Sequence, residues 1–133
     1  REVEKAGADA ISVANSFKGM AIDIKNKKPV LNNITGGLSG PAIKPLALAL
    51  VYEVAGAVSI PVVGCGGIVT AEDALEFIMA GASAVQVGSA SYTNPRASLD
   101  VLEGIQQFME KEGIKGLGEI IGAARVKNNN SKC

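Results

Sequence analysis

The stretch with the clearest capacity for chemistry is Ile60-Pro61-Val62-Val63-Gly64-Cys65-Gly66-Gly67-Ile68, an apolar, β-branched run that ends in three glycines within four residues. The run fits a strand buried on both faces. The glycines let the backbone turn sharply and bring bare amides against a ligand. Thr70 can then cap a helix over Ala71–Ala80, with Asp73 in its first turn and Gly81 as its stop. Because a helix start offers unpaired amides and a partial positive charge, strand, turn and helix together make a seat for a phosphate. The same residues fit a tight turn that binds nothing, since isolated glycine patterns recur by chance. A second glycine-rich turn, Thr35-Gly36-Gly37-Leu38-Ser39-Gly40-Pro41, precedes another helix, for which Pro41 suits the first turn. No histidine occurs, which excludes His-based triads and His metal sites within these residues. Cys65 and Cys133 lack metal-ligand spacing and make a poor disulfide pattern, so both are expected to be reduced thiols.

The elements that must position these turns alternate between strand and helix. A helical start over Arg1–Ala6 stops at Gly7, and Ala8-Asp9-Ala10-Ile11-Ser12-Val13-Ala14-Asn15-Ser16 reads as a strand with a polar end. Met20–Ile24 and Pro29–Leu31 form a hairpin around a solvated lysine turn. A helix runs from Pro41 through Tyr52 to about Ala55, and the strand from Ile60 and the helix Ala71–Ala80 follow. Ser83–Val87 is a third strand leading to Gly88-Ser89. A helix over about Ser98–Glu112 carries Leu99, Leu102, Ile105, Gln106 and Met109 along one side, and a short helix over Leu117–Ala124 closes the fold. Lys127 to Cys133 reads as a polar, frayed tail. One phrase recurs: Ala6–Asn15 aligns with Ala80–Ser89 at an offset of 74 residues. That offset spans two strand-plus-helix units of roughly 37 residues each, and such alternation is the signature of a parallel α/β sheet.

Composition narrows the class. With 133 residues, 47% hydrophobic and 20% charged, the chain is apolar enough to bury a core and is about one domain in length. Thirteen basic and thirteen acidic residues cancel, so no global field favours nucleic acid or an anionic membrane. No apolar run of about 18 residues and no basic start leading into an apolar segment is present, which points to a cytoplasmic protein. Three strands close nothing, whereas an eight-unit barrel takes about 250 residues. The expected fold is therefore α/β: the C-terminal part, about three strand-helix units, of a (β/α)8 TIM barrel, with residues 1–125 as the partial barrel and 126–133 as the tail.

Asn32–Pro45, Gly64–Ile68 and Ala80–Ala90 together resemble the C-terminal part of class 1B dihydroorotate dehydrogenase catalytic subunits, and the resemblance runs to about Gly113. It implies a flavin mononucleotide (FMN) enzyme that oxidises dihydroorotate to orotate in pyrimidine synthesis, with these residues forming the sixth to eighth barrel strands. It also implies site roles. Gly66, Gly67, Gly88 and Ser89 would hold the flavin phosphate through backbone amides, Gly40 would let its loop approach the flavin, and Ala14 would touch it through its backbone. Asn15 and Ser16 would hydrogen-bond the substrate. An Asn amide both donates and accepts, matching a ring edge with C=O beside N–H, although Asn15 could instead satisfy local backbone groups.

By the same resemblance the catalytic base lies upstream of Arg1, so no catalytic residue is expected in this chain, and Cys65, between strand and glycine turn where a small apolar residue would serve, is not its substitute, since a buried thiol is usually inert. A homo-oligomer and a partner subunit with FAD and an iron-sulfur cluster, passing electrons to NAD, are also implied. A fumarate-linked relative would carry a different turn at Thr35–Gly40. The alternatives are a flavin-free phosphate-binding barrel, which has no need of Asn15-Ser16, and a non-catalytic interaction module.

Overall fold

The structure, a computed structural model, describes residues 1–126; the polar tail expected over Lys127–Cys133 lies outside the described residues, and Cys65 is a free thiol. The chain opens with a one-turn helix α1 (Glu2–Lys5) and enters β1 (Ile11–Val13). An excursion of two antiparallel ribbons follows. Strand β2 (Phe17–Gly19) pairs with β5 (Gly36–Leu38), and between them β3 (Ile22–Asp23) pairs with β4 (Lys28–Pro29). The inner ribbon is the expected lysine-turn hairpin, its turn held by Asp23 Oδ1, which accepts from the N–H of Lys25 at 3.0 Å and of Asn26 at 3.1 Å. The outer ribbon corrects the sequence reading. Half of the supposed glycine turn is strand, because Gly36 and Gly37 lie opposite Gly19 and Lys18 and complete their ladder.

A 3-10 turn over Pro41–Ile43 leads into α2 (Lys44–Ala55), with Pro45 in its first turn, where its missing N–H is harmless. Then come β6 (Val62–Cys65), α3 (Ala71–Ala80), β7 (Ala84–Gln86), a four-residue helix α4 (Ala90–Thr93) and α5 (Ala97–Glu112). The main sheet is parallel in the order β1-β6-β7, in register Val13↔Gly64 and Gly64↔Val85.

The helices bury one face of this sheet. Val62 and Gly64 are buried while Val63 and Cys65, on the other face, are half-exposed, so β6 is covered on one side rather than on both as its composition suggests. The core gathers Val13, Val51, Val62, Phe77, Ile78, Val101 and Ile105. Two helical expectations are corrected. On α5 the expected Ile105 is buried and Met109 packs against the core, but the other buried positions are Ala97 and Val101, and Leu99 and Leu102 are 50% and 60% exposed; Gly104 lies against Ala71 of α3, so small residues help make the interface. The segment Leu117–Ala124 is a 3-10 turn over Leu117–Glu119 followed by turns. Its backbone is spent elsewhere: the N–H of Gly122 donates to Ile78 O and that of Ala124 to Met79 O, each at 3.0 Å, near the end of α3. No helix among the described residues is long and apolar enough to cross a membrane.

Candidate functional site

The C-terminal ends of the parallel strands converge on one small hollow. Past β6, Gly66 and Gly67 take φ values of +131° and +77°, a backbone region that side chains rarely enter. Space forbids side chains here as well. A Cβ on Gly66 would lie 2.7 Å from Ala47 Cβ, and one on Gly67 would lie 2.7 Å from Lys44 N and 2.9 Å from Gly40 O. Gly40 itself has φ of +89°. The two glycine turns expected from sequence therefore interlock, backbone against backbone, at the start of α2.

Seven of the eight residues singled out from sequence line a pocket of about 90 Å³: Ala14, Ser16, Gly40, Gly66, Gly67, Gly88 and Ser89. Buried Ile43 and Ile68 line it too. Small-molecule sites usually measure about 300–1,000 Å³, so this hollow has room for a phosphate corner and not for a whole nucleotide. Among the described residues, no hydrogen bond outside the regular helix and strand ladders uses the N–H of Gly66, Gly67, Gly88 or Ser89. The lining includes three hydroxyls, of Ser16, Ser39 and Ser89, and no lysine or arginine. An anion bound here would be held by amides and hydroxyls.

Ser39 was missed by the sequence reading. The available signal was its hydroxyl beside Gly40, inside a turn already read as approaching a ligand. Cys65 also lines the pocket and is half-buried. Asn15 is the one expected residue outside the lining; its Oδ1 accepts from Ser16 N–H at 2.7 Å and, more weakly, from Ser16 Oγ at 3.4 Å. Ala14, joined to Val13 by a cis peptide, donates its N–H to Cys65 O at 2.8 Å and so closes the pocket side of β1 onto β6.

The start of α3 does not supply the anion seat that its cap and glycine turn suggest. Asp73 already occupies it. Its Oδ2 accepts from the N–H of Val69 at 2.9 Å and Thr70 at 3.0 Å, while Thr70 Oγ1 accepts from Asp73 N–H at 3.2 Å, a reciprocal capping box. Asp73 Oδ1 further accepts from Lys44 Nζ at 2.6 Å, and Lys44 also pairs with Glu76 at 3.0 Å. Burial alone would raise the Asp73 pKa, but hydrogen bonds from Lys44 and from the Thr70 and Val69 amides outweigh it and hold the carboxyl below its ordinary range. The hydrogen bonds to Asp73 and then Glu76 raise the Lys44 pKa in turn. Lys44 is thus committed to acids on α3.

Of the larger hollows elsewhere, two measure about 570 Å³ each. One is an apolar groove along α2 and α3 past Leu48, Tyr52 and Met79, the other a trough beside the β3–β4 hairpin. Neither contains a residue expected at the site, and size alone does not make either the candidate.

A family profile described as dihydroorotate dehydrogenase matches residues 1–109. The chain is 61% identical over 117 residues to the dihydroorotate dehydrogenase B (NAD(+)) catalytic subunit of Alkaliphilus metalliredigens, covering 88% of this chain and 39% of that protein. It is 58% identical over 120 residues to the protein of the same description from Trichlorobacter lovleyi, covering 90% and 40%. For that of Desulforamulus reducens the figures are 52% over 126 residues, 95% and 41%. The chain therefore spans about two-fifths of the length of the curated relatives it matches.

Proposed function

The chain belongs to the dihydroorotate dehydrogenase family, and we propose that the complete protein oxidises dihydroorotate to orotate with FMN, this chain supplying the flavin phosphate cradle and part of the substrate contact. The convergence of Ala14, Ser16, Gly40, Gly66, Gly67, Gly88 and Ser89 on one phosphate-sized pocket is the observation that carries this reading. The pocket fits the group: its size, its free amides and its hydroxyls suit a phosphate, and two interlocked glycine turns bring backbone where side chains would block it. In this reading β1, β6 and β7 are the sixth to eighth strands of a (β/α)8 barrel, and barrels often carry a phosphate site after strands seven and eight.

Within the reaction this chain binds and orients. The Gly66-Gly67 and Gly88-Ser89 amides fix the phosphate, and Ala14 and Gly40 give the flavin a close backbone approach. Asn15 and Ser16 hold the pyrimidine by its amide edge, so that the ring faces the flavin with its reacting carbon in place. When bound, the flavin supplies the redox chemistry by taking up the hydride that leaves the substrate. A base assigned by resemblance to the part of the protein upstream of Arg1 takes the proton from the neighbouring carbon. Cys65 is not given that task, because it sits among the cradle glycines. The relatives' description as NAD(+)-linked catalytic subunits supports electron transfer to NAD through a separate subunit over the fumarate-linked alternative; FAD and an iron-sulfur cluster on that subunit, and a cytoplasmic homo-oligomer, belong to this proposal by the family resemblance.

The test is an absorbance spectrum of the complete purified protein, recorded before and after adding dihydroorotate in the absence of air. A flavin band that bleaches on addition is expected. A well-folded, colourless protein would overturn this reading in favour of a flavin-free phosphate-binding barrel.

A further inference from the structure

The antiparallel ribbon beside the pocket has a glycine whose identity the backbone does not explain. Gly37 on β5 is not among the glycines with positive φ, so its conformation is open to any residue. Space is what excludes a side chain: a Cβ on Gly37 would overlap Ser16 Oγ and lie 2.8 Å from Ser16 Cβ. The register explains why. Gly37 is opposite Lys18, which makes Ser16 its diagonal neighbour across the ribbon. Ser16 in turn holds Asn15, whose Oδ1 accepts from Ser16 N–H at 2.7 Å. That bond engages the Asn15 carbonyl oxygen, and among the described residues its NH2 group has no hydrogen bond and is free to donate.

We infer that Gly37 is a positioning residue for substrate: its missing side chain leaves the space Ser16 occupies, and Ser16 fixes the amide of Asn15. The inference rests on the reading of Asn15 and Ser16 as substrate contacts. Misplacing a positioned group by about 1 Å can cost on the order of a hundredfold in rate, so a methyl group here should register in substrate binding while leaving in place the Gly66-Gly67 and Gly88-Ser89 amides assigned to the phosphate.

The experiment measures orotate affinity of the complete flavin-loaded protein through the perturbation of flavin absorbance. Gly37→Ala is expected to weaken orotate at least about tenfold with flavin content unchanged. In a Ser16→Gly background the same substitution should change affinity by less than about twofold, because the colliding side chain is gone. Gly36→Ala is the control, since a Cβ there meets only the tip of the exposed Leu31 side chain. Wild-type affinity in Gly37→Ala, or an equal loss in both backgrounds, would overturn the positioning role. If Gly37→Ala loses its flavin, restoration by Ser16→Gly supports the role and failure to restore overturns it. Asn15→Ala separates the two levels. Unchanged orotate affinity in that variant removes the substrate assignment and the positioning role together, whereas weakened affinity there with unchanged affinity in Gly37→Ala removes the positioning role alone.

Discussion

Ser12 Oγ donates to Gln86 Oε1 at 3.1 Å, spanning the central strand β6 to join residues 74 positions apart. The internal repeat aligns these same two residues, since its offset is also 74. The bond shows what the repeat accomplishes: one phrase, helix end into strand, is laid down on either side of β6. The residues at or just past the end of each copy, Ala14 and Ser16 after β1 and Gly88 and Ser89 after β7, then reach the same pocket. The repeat thus converts two distant segments into two walls of one site.

Between those walls Gly64 leaves room for a helix. A Cβ there would lie 2.7 Å from Phe77 Cδ1 and 3.3 Å from both Phe77 Cβ and Ala82 Cβ, and Phe77 is fully buried. Gly64→Ala is therefore expected to destabilise the protein by about 1–3 kcal/mol through overpacking. Denaturant unfolding checks this, and a stability equal to wild type would mean that α3 can slide outward at little cost.

What the sequence made legible was what local chemistry decides. Thr70, Asp73 and Gly81 carry the start and stop of α3 within a few residues, and the helix runs over Ala71–Ala80 as expected. Six of the seven pocket residues likewise follow β1, β6 or β7, strands that could be read directly, while Gly40 follows β5, which could not; their site roles come from the family resemblance. Failures came where a distant partner decides. Gly36–Leu38 has poor strand propensity and is strand only because Phe17–Gly19 pairs with it. The α5 face was misjudged because large leucines suggested a core, while the close approach of α3 selects Ala97, Val101 and Gly104. The anion seat at α3 fails for a local reason instead: Asp73, the third residue of the helix and partner of the Thr70 cap, is itself the anion there.

Expressed by itself, this 133-residue chain is expected to show no dihydroorotate oxidation and to self-associate. Among the described residues, strands β1 and β7 each pair on one side only, with β6, leaving two unpaired edges. Light scattering and a flavin-reduction assay test the two halves of this expectation; turnover by the isolated chain would overturn the assignment of the base to another part of the protein.

The Lys44–Asp73 pair gives a pH signature. Asp73 has a lowered pKa when folded, so its contribution is fully present above the ordinary carboxylate value of about 3.9 and is lost as pH falls through the lowered folded value. Lys44 has a raised pKa, so its contribution holds below about 10.4 and is lost as pH rises through the raised folded value. Asp73→Asn is expected to cost about 1 kcal/mol near neutrality by weakening the cap and to flatten the acid limb of the stability profile. Thermal melting as a function of pH reads both, and an unchanged acid limb would show that other carboxylates dominate it.

Arg125 closes two helices at once. Its Nη1 donates to Tyr52 O at 2.6 Å and Ala80 O at 3.0 Å, near the ends of α2 and α3, while the guanidinium sits 4.6 Å from the Tyr52 ring centroid. A cation at helix C-termini also meets the negative end of each dipole. Arg125→Ala is expected to cost about 2 kcal/mol. Arg125→Lys should recover only part of that, since a point charge cannot stack and fork together; full recovery in unfolding experiments would reduce the contact to simple charge.

Gly88 offers the cleanest separation of cofactor binding from folding. Gly66 and Gly67 are held as glycine by both φ and space, so their substitution confounds the two. Gly88 lines the pocket, has no positive φ, and a Cβ there would meet nothing within 4 Å. Gly88→Val is therefore expected to change unfolding stability by no more than about 0.5 kcal/mol. Its two methyls would crowd a pocket of about 90 Å³, and flavin should bind at least about tenfold more weakly, a loss of some 1.4 kcal/mol. Flavin fluorescence titration of the apoprotein measures this directly. Wild-type flavin affinity with wild-type stability would place the phosphate away from Gly88 and leave Gly66-Gly67 to hold it alone.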